Sequence, residues 1–326
     1  MLGRSGGSTG IRAGLHLRMK PELEHLLKKH GYHLAGRHSA VKTCLWLRKA
    51  LRGESSCYKS QFYGIRSHRC IQMTPTLSCN HRCLHCWRPV EMPVPLPAPS
   101  GWDSPVEIKG SIIREHKRLI SGYGGSGTTD INVLREAQEP NHVAISLAGE
   151  PTLYPYLPEL INLFHSDGMT TFVVSNGTQP DMIAKISPTQ LYISLNAPDE
   201  TTYLRVCNPC GNFWREIQES LEVLGRSQSR TRTAVRITLI RGLNMFNPEG
   251  YARLLRTAMP DYLEVKAYMH VGFSQKRLGR DAMPDHEEVL GFASEIGDEL
   301  GYRIADDCEI SRIALLSRSG KVEQIR

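Results

Sequence analysis

Three cysteines in one short loop, Cys79-Asn80-His81-Arg82-Cys83-Leu84-His85-Cys86, set the chemistry open to this chain. Thiolates at a C-x3-C-x2-C spacing can hold three irons of a [4Fe-4S] cube and leave the fourth iron without a protein ligand. A closed electron-transfer cluster normally takes four cysteines. An iron with an open position points to catalysis. A zinc knuckle competes, with His81 or His85 as its fourth ligand. Three further thiols, Cys44, Cys57 and Cys70, stand just upstream with twelve residues between successive members. Such even spacing suggests a second iron-sulfur site assembled from separate elements, although isolated buried cysteines also serve as small hydrophobes. Cys207 and Cys210 have redox or zinc spacing but no matching second pair, and with Cys308 they read as structural.

Length and composition narrow the setting of that chemistry. A chain of 326 residues can form one large α/β barrel or two smaller domains. No apolar run approaches the roughly 20 residues of a membrane span, and Met1 to Gly14 lacks the apolar segment of a signal peptide. A cytoplasmic protein is therefore expected. Six of the nine cysteines crowd between Cys44 and Cys86, which points to metal rather than disulfides. The formal charge of +7 suits a polyanionic partner without requiring one.

Elements able to position the thiols follow from the apolar pattern. Residues 1 to about 18 lack periodicity and read as a disordered lead-in, followed by a short helix from Pro21 to His30 closed by Gly31. Ser39 to Lys49 reads as a second helix. From Cys70 onward strands alternate with amphipathic helices. The strands are Cys70 to Leu77, His142 to Leu147, Thr171 to Ser175, Leu191 to Leu195, Ala234 to Ile240 and Leu263 to Tyr268. Helical spacing marks Ile108 to Leu119, Leu157 to His165, Phe213 to Leu224, Pro248 to Ala258 and His286 to Leu300. Repeated strand-helix units imply parallel strands with right-handed crossovers, hence an α/β fold: a partial (β/α)6, TIM-like barrel. The expected division is a lead-in and short helix over 1–35, an N-terminal extension over 36–69 carrying the upstream cysteines, and a core over 70–326.

Barrels of this kind place their sites at the C-terminal strand ends. After the second strand comes Ala148-Gly149-Glu150, where glycine lets backbone approach a ligand and Glu150 can receive an ammonium group. Ser175 and Asn176 follow the third strand and can bond ribose hydroxyls or a carboxylate. Ser194 and Asn196 follow the fourth. Proline-rich Pro89 to Ser104 predicts an extended excursion, and Gly122 to Asn132 a flexible loop. Between His270 and Pro284, Lys276, Arg277 and Arg280 around Phe273 have the composition of a nucleic-acid-facing loop, which a solvated basic loop would share.

Several stretches carry a specific likeness. The cysteine loop resembles the signature of the radical S-adenosylmethionine enzymes. Gly36 to Lys42, Phe62 to Pro75, Cys86 to Pro89 and Ala267 to Gly272 resemble the archaeal 4-demethylwyosine synthases of that superfamily, which act in wyosine biosynthesis on tRNA. The similarity extends from about Gly36 to the C-terminus. His85 replaces an aromatic residue common before the last cluster cysteine, and Ala148-Gly149-Glu150 replaces Gly-Gly-Glu. Neither change removes a ligand.

This resemblance implies two [4Fe-4S] clusters, one on Cys79, Cys83 and Cys86 and one on Cys44, Cys57 and Cys70. It also places S-adenosylmethionine on the open iron of the first and pyruvate at Lys59. The implied reaction turns N1-methylguanosine 3′ to the anticodon of tRNA(Phe) into tricyclic 4-demethylwyosine. Reductive cleavage of S-adenosylmethionine would give a radical that takes hydrogen from the N1-methyl group, and the methylene radical would then attack the carbonyl carbon of pyruvate. The flavodoxin-like module found at the front of eukaryotic relatives is missing, so an external low-potential donor, flavodoxin- or ferredoxin-like, is expected; a monomer is expected as well. Two other functions compete: radical chemistry on a small molecule or peptide, and a non-catalytic metal-binding module.

Overall fold

The computed structural model describes residues 19–325, and the expected lead-in over residues 1–18 lies outside them. The described chain opens with helix α1 (Pro21–Lys29), the short strands β1 (His33–Leu34) and β2 (Ala40–Val41), and helices α2 (Leu45–Leu51) and α3 (Tyr58–Tyr63). Strand β3 (Cys70–Thr74) then leads through α4 (Pro105–Ser121) and α5 (Ile131–Ala137) to β4 (His142–Ile145). The sequence α6 (Leu157–Ser166), β5 (Thr170–Ser175), α7 (Pro180–Lys185), β6 (Gln190–Ser194), α8 (Glu200–Cys207), α9 (Trp214–Arg226) and β7 (Arg232–Leu239) follows. The chain closes with α10 (Pro248–Ala258), β8 (Tyr262–Ala267), α11 (His286–Leu300), β9 (Arg303–Cys308) and β10 (Ile313–Ser317).

Strands β3 to β8 pair in chain order and all in parallel, which makes the expected partial barrel. Antiparallel strands flank it, β2 and β1 beyond β3, and β10 and β9 beyond β8. Alternation along the strands sorts the side chains. Ile71, Val143, Val173, Leu191, Val235 and Leu263 face the helical layer and form the main core. Phe172, Tyr192, Ala234 and Tyr262 face the lumen, where they bury Phe62, Tyr63 and Ile65. Helix α3 and the turn after it thus plug the lower barrel, and full burial of Phe62 alone contributes about 1.5–3 kcal/mol.

One expected helix is wrong in part. Within Ser39 to Lys49, Ala40 and Val41 form β2 and pair with Thr74 and Met73 of β3, and the helix begins only at Leu45. An open sheet edge offers backbone partners that override a local helical pattern. Helices α10 and α11 have the expected bounds, α11 starting at a capping box of Asp285 and Glu288. Helices α3, α5, α7 and α8, six to eight residues each, escaped the periodicity because so few turns hardly define a period.

Candidate functional site

A cavity of about 700 Å³ opens at the C-terminal mouth of the parallel strands. Cys79, Cys83 and Cys86 line it together with Glu150, Asn196 and Lys266. The end of α8 clamps the cysteine loop through backbone bonds: Arg82 N–H donates to the carbonyls of Cys207 and Asn208, Leu84 N–H to Val206, and Cys210 N–H to Asn80. The Cys207 to Cys210 segment is therefore a brace for the loop. Arg88 Nε donates to Cys86 Sγ at 3.2 Å. Burial pushes the Cys79 thiol up to about 11, although the Arg88 charge acts the other way. Thiols so placed gain by giving their protons up to a metal.

The donor set fits an iron-sulfur cluster: three soft sulfurs on one cavity wall, a positive guanidinium beside them, and room in front. A smaller grouping lies next to it. One donor atom each from His81, Cys83 and Cys207 falls within 4.8 Å of the others, with His81 Nε2 already 3.0 Å from the Tyr203 hydroxyl. Such compactness suits a single ion better than a cube, whose thiolates stand farther apart. His85, the alternative zinc ligand, is half-buried with its Nδ1 enclosed and unpartnered, and desolvation lowers its pKa to about 4.

The upstream cysteines come from three elements. Cys44 caps α2, its Sγ accepting from Leu47 N–H at 3.2 Å, Cys57 stands at the N-cap of α3, and Cys70 begins β3. Burial raises the Cys70 thiol most, and the Cys44 and Cys57 sulfurs raise it further, so the three thiols lie within reach of one another's charge. Lys59 extends from the first turn of α3 into the lumen, where its ammonium stands 4.4 Å from the Phe172 ring centroid and 5.0 Å from that of Tyr192. Burial lowers its pKa first and Arg236 second, against the opposing pull of Glu264 and the Cys70 and Cys57 sulfurs. Arg236 itself is committed: Nη2 meets Glu264 at 2.7 Å and the Tyr58 hydroxyl at 2.9 Å. Glu264 also accepts from the Tyr63 hydroxyl at 2.8 Å. Its burial alone would raise the carboxyl, but Arg236 and Lys59 bring it below the ordinary value.

The expected ligand turns meet at the mouth. Gly149 has φ +71°, and a Cβ there would sit 1.9 Å from the Thr76 carbonyl oxygen, so no other residue fits. Ala148 is buried beside it. Glu150 Oε1 accepts from the Thr152 and Ser175 hydroxyls at 2.6 and 2.8 Å, and Oε2 from Asn176 N–H at 2.7 Å. Asn176 Nδ2 donates to Asn80 Oδ1 at 2.8 Å, which ties the turn after β5 to the cysteine loop. Asn196 Oδ1 accepts from Thr238 N–H at 3.0 Å, and Ser194 lines the cavity. These residues thus hold one another as well as facing the space in front of the thiols.

Three lumen residues were missed from sequence: Arg236, Glu264 and Lys266. Their signal was a charged residue at alternate positions of an otherwise apolar strand, which on a sheet curved into a partial barrel means a side chain aimed into the lumen. The basic loop needs a correction. Arg277 does not face outward but donates to the carbonyls of Leu84, Cys86 and Arg88 and pairs with Glu91 at 2.5 Å, locking the cysteine loop from its far side. Lys276 and Arg280 are exposed.

Comparison with known proteins adds to this geometry. The family model described as "Radical SAM superfamily" matches residues 73–255, and "Wyosine base formation" matches residues 257–318. The S-adenosyl-L-methionine-dependent tRNA 4-demethylwyosine synthase of Pyrococcus abyssi is 45% identical over 308 residues, covering 92% of this chain and 90% of its own. The protein of the same name from Methanocaldococcus jannaschii is 44% identical over 306 residues, covering 92% and 97%. A solved structure described as TYW1 with a lysine-pyruvate adduct bound superposes with a TM-score of 0.86 at 42% identity, over 94% of this chain and 100% of that one.

Proposed function

As a member of the tRNA 4-demethylwyosine synthase family of radical S-adenosylmethionine enzymes, the chain, we propose, converts N1-methylguanosine 3′ to the anticodon of tRNA(Phe) into 4-demethylwyosine, with pyruvate as co-substrate. The observation that carries this assignment is a buried lysine, Lys59, in the lumen beneath a mouth lined by the three-thiol loop.

When bound, the loop cluster and S-adenosylmethionine supply a carbon radical able to take hydrogen from the methyl group. The residues of the chain do the rest. Cys79, Cys83 and Cys86 would hold that cluster, and Cys44, Cys57 and Cys70 a second one. Ala148, Gly149 and Glu150 would receive the cofactor's amino group, while Ser175, Asn176, Ser194 and Asn196 present polar groups to its ribose and carboxylate. Lys59 would attack the pyruvate carbonyl with its neutral amine, and water leaves as the imine forms. Phe172 and Tyr192 pack around that amine and keep bulk water away. An external low-potential donor supplies the electron.

Anaerobic incubation of reconstituted protein with methylated tRNA, pyruvate, S-adenosylmethionine and a reductant should yield the tricyclic nucleoside by mass spectrometry. Cofactor cleavage that leaves methylguanosine untouched would reassign the substrate. The basic loop allows a sharper check. Lys276→Ala with Arg280→Ala should keep all the iron and weaken tRNA binding. The slope of log affinity against log salt should become shallower by about 1 for each phosphate that is no longer neutralised. Arg277→Ala should instead lower the iron content and cofactor cleavage, because it frees two carbonyls of the cysteine loop, those of Leu84 and Cys86, and that of Arg88 just beyond it. Equal salt slopes in the double variant and the parent would move the tRNA surface elsewhere.

A further inference from the structure

Lys266 is a second lysine of the lumen. It sits two residues beyond Glu264 on β8, opposite Thr238 of β7, so its side chain emerges on the lumen face about 7 Å nearer the mouth than Glu264. It lines the cavity and, among the described residues, makes no ion pair. Its neighbours by charge are Arg236, Glu264 and Lys59 below and His85 of the cysteine loop above. The deep cations are otherwise engaged: Arg236 with Glu264 and Tyr58, and Arg88 with the Cys86 sulfur. At the rim, Lys42 lies over the rings of Tyr32 and Trp87. Desolvation lowers the Lys266 pKa to about 8, which still leaves it mostly ammonium at neutral pH.

A desolvated cation without a counterion is costly until an anion arrives. Any adduct on Lys59 must grow toward the mouth, because α3 closes the lumen below. We propose that Lys266 binds the carboxylate of the keto acid held at Lys59, and so selects an α-keto acid over a neutral ketone; this rests on the assignment of Lys59 to pyruvate. Lys266 is a specificity-determining residue in this scheme, and no bond to it forms or breaks.

The test uses the full chain with its clusters reconstituted. Borohydride trapping with labelled pyruvate is followed across a pyruvate series in the wild type, Lys266→Met and Lys266→Arg. Removing one charge-assisted hydrogen bond should raise the half-saturating pyruvate concentration about ten- to a hundredfold in the Met variant, with substantial recovery in the Arg variant. The preference for pyruvate over methyl pyruvate should fall by a similar factor, while iron content and S-adenosylmethionine cleavage stay at the wild-type level. Unchanged pyruvate dependence and unchanged preference in the Met variant would overturn the proposal. Should the Met variant lose iron, Lys266→Gln is put through the same two measurements. A wild type that traps no pyruvate at Lys59 removes the Lys59 assignment instead, and the pyruvate dependence of nucleoside formation then decides on Lys266 by itself.

Discussion

Cys83→Ala is expected to abolish reductive cleavage of S-adenosylmethionine and to halve the iron of the anaerobically reconstituted protein, from about eight atoms to about four. Cys57→Ala should also leave about four, but should keep cofactor cleavage. The difference follows from placement. Cys83 lies at the mouth, on the wall shared with Glu150 and Asn196, where the turns after β4 and β6 end. Cys57 lies at the head of α3 and, unlike Cys83, is not among the residues that line the mouth cavity. Each proposed ligand set has three sulfurs, and Cys207, which lies beside Cys83, is held in the brace at the end of α8, so removal of one ligand leaves too few for a stable cube. Iron analysis and paramagnetic resonance of the reduced proteins would distinguish the two remaining clusters. A wild type that saturates at about four irons would leave only the loop cluster standing.

Lys59→Ala should lower formation of the tricyclic nucleoside by at least about a thousandfold while keeping both clusters and most S-adenosylmethionine cleavage. Removing a covalent nucleophile deletes a route rather than weakening a contact. The lysine is buried among Phe172, Tyr192, Arg236 and Glu264, all of which are part of the barrel wall. Alanine there leaves the wall intact and opens a space that the amine filled. Borohydride with labelled pyruvate should mark residue 59 in the parent and nothing in the variant, read by peptide mass spectrometry. If Lys59→Ala makes product at the parental rate with the same dependence on pyruvate, the lysine has no part in the reaction. Lys59→Arg is a useful companion, since it keeps the positive charge but cannot form the imine.

Much of the architecture is legible in the sequence. The six parallel strands announced themselves as short apolar runs separated by amphipathic helices, because strands covered on both faces must be apolar nearly throughout. The cysteine loop and the turns at Gly149, Ser175 and Asn196 could be placed at one end of the barrel, because parallel strands bring all their C-terminal ends to the same side. Arg277 shows where composition misleads. Its place among Lys276, Arg280 and Phe273 says only that the loop is basic, and just the path of the backbone decides that this one guanidinium turns inward to the carbonyls of the cysteine loop.

By itself the sequence determined the loop chemistry, the strand order and the likeness to a family, since each depends on residue type and local spacing. Tertiary structure alone decided that α3 fills the barrel, that the thiols of a helix cap, a second helix cap and a strand come within range of one another's charge, and that Lys59, Arg236, Glu264 and Lys266 share one lumen. Those pairings join residues as many as two hundred positions apart, as in Tyr63 with Glu264. Nothing in local spacing encodes such a meeting. It arises when a closing sheet turns alternate side chains of β5 to β8 toward one axis, and the aromatic face of α3 is the apolar surface that fills the space they leave.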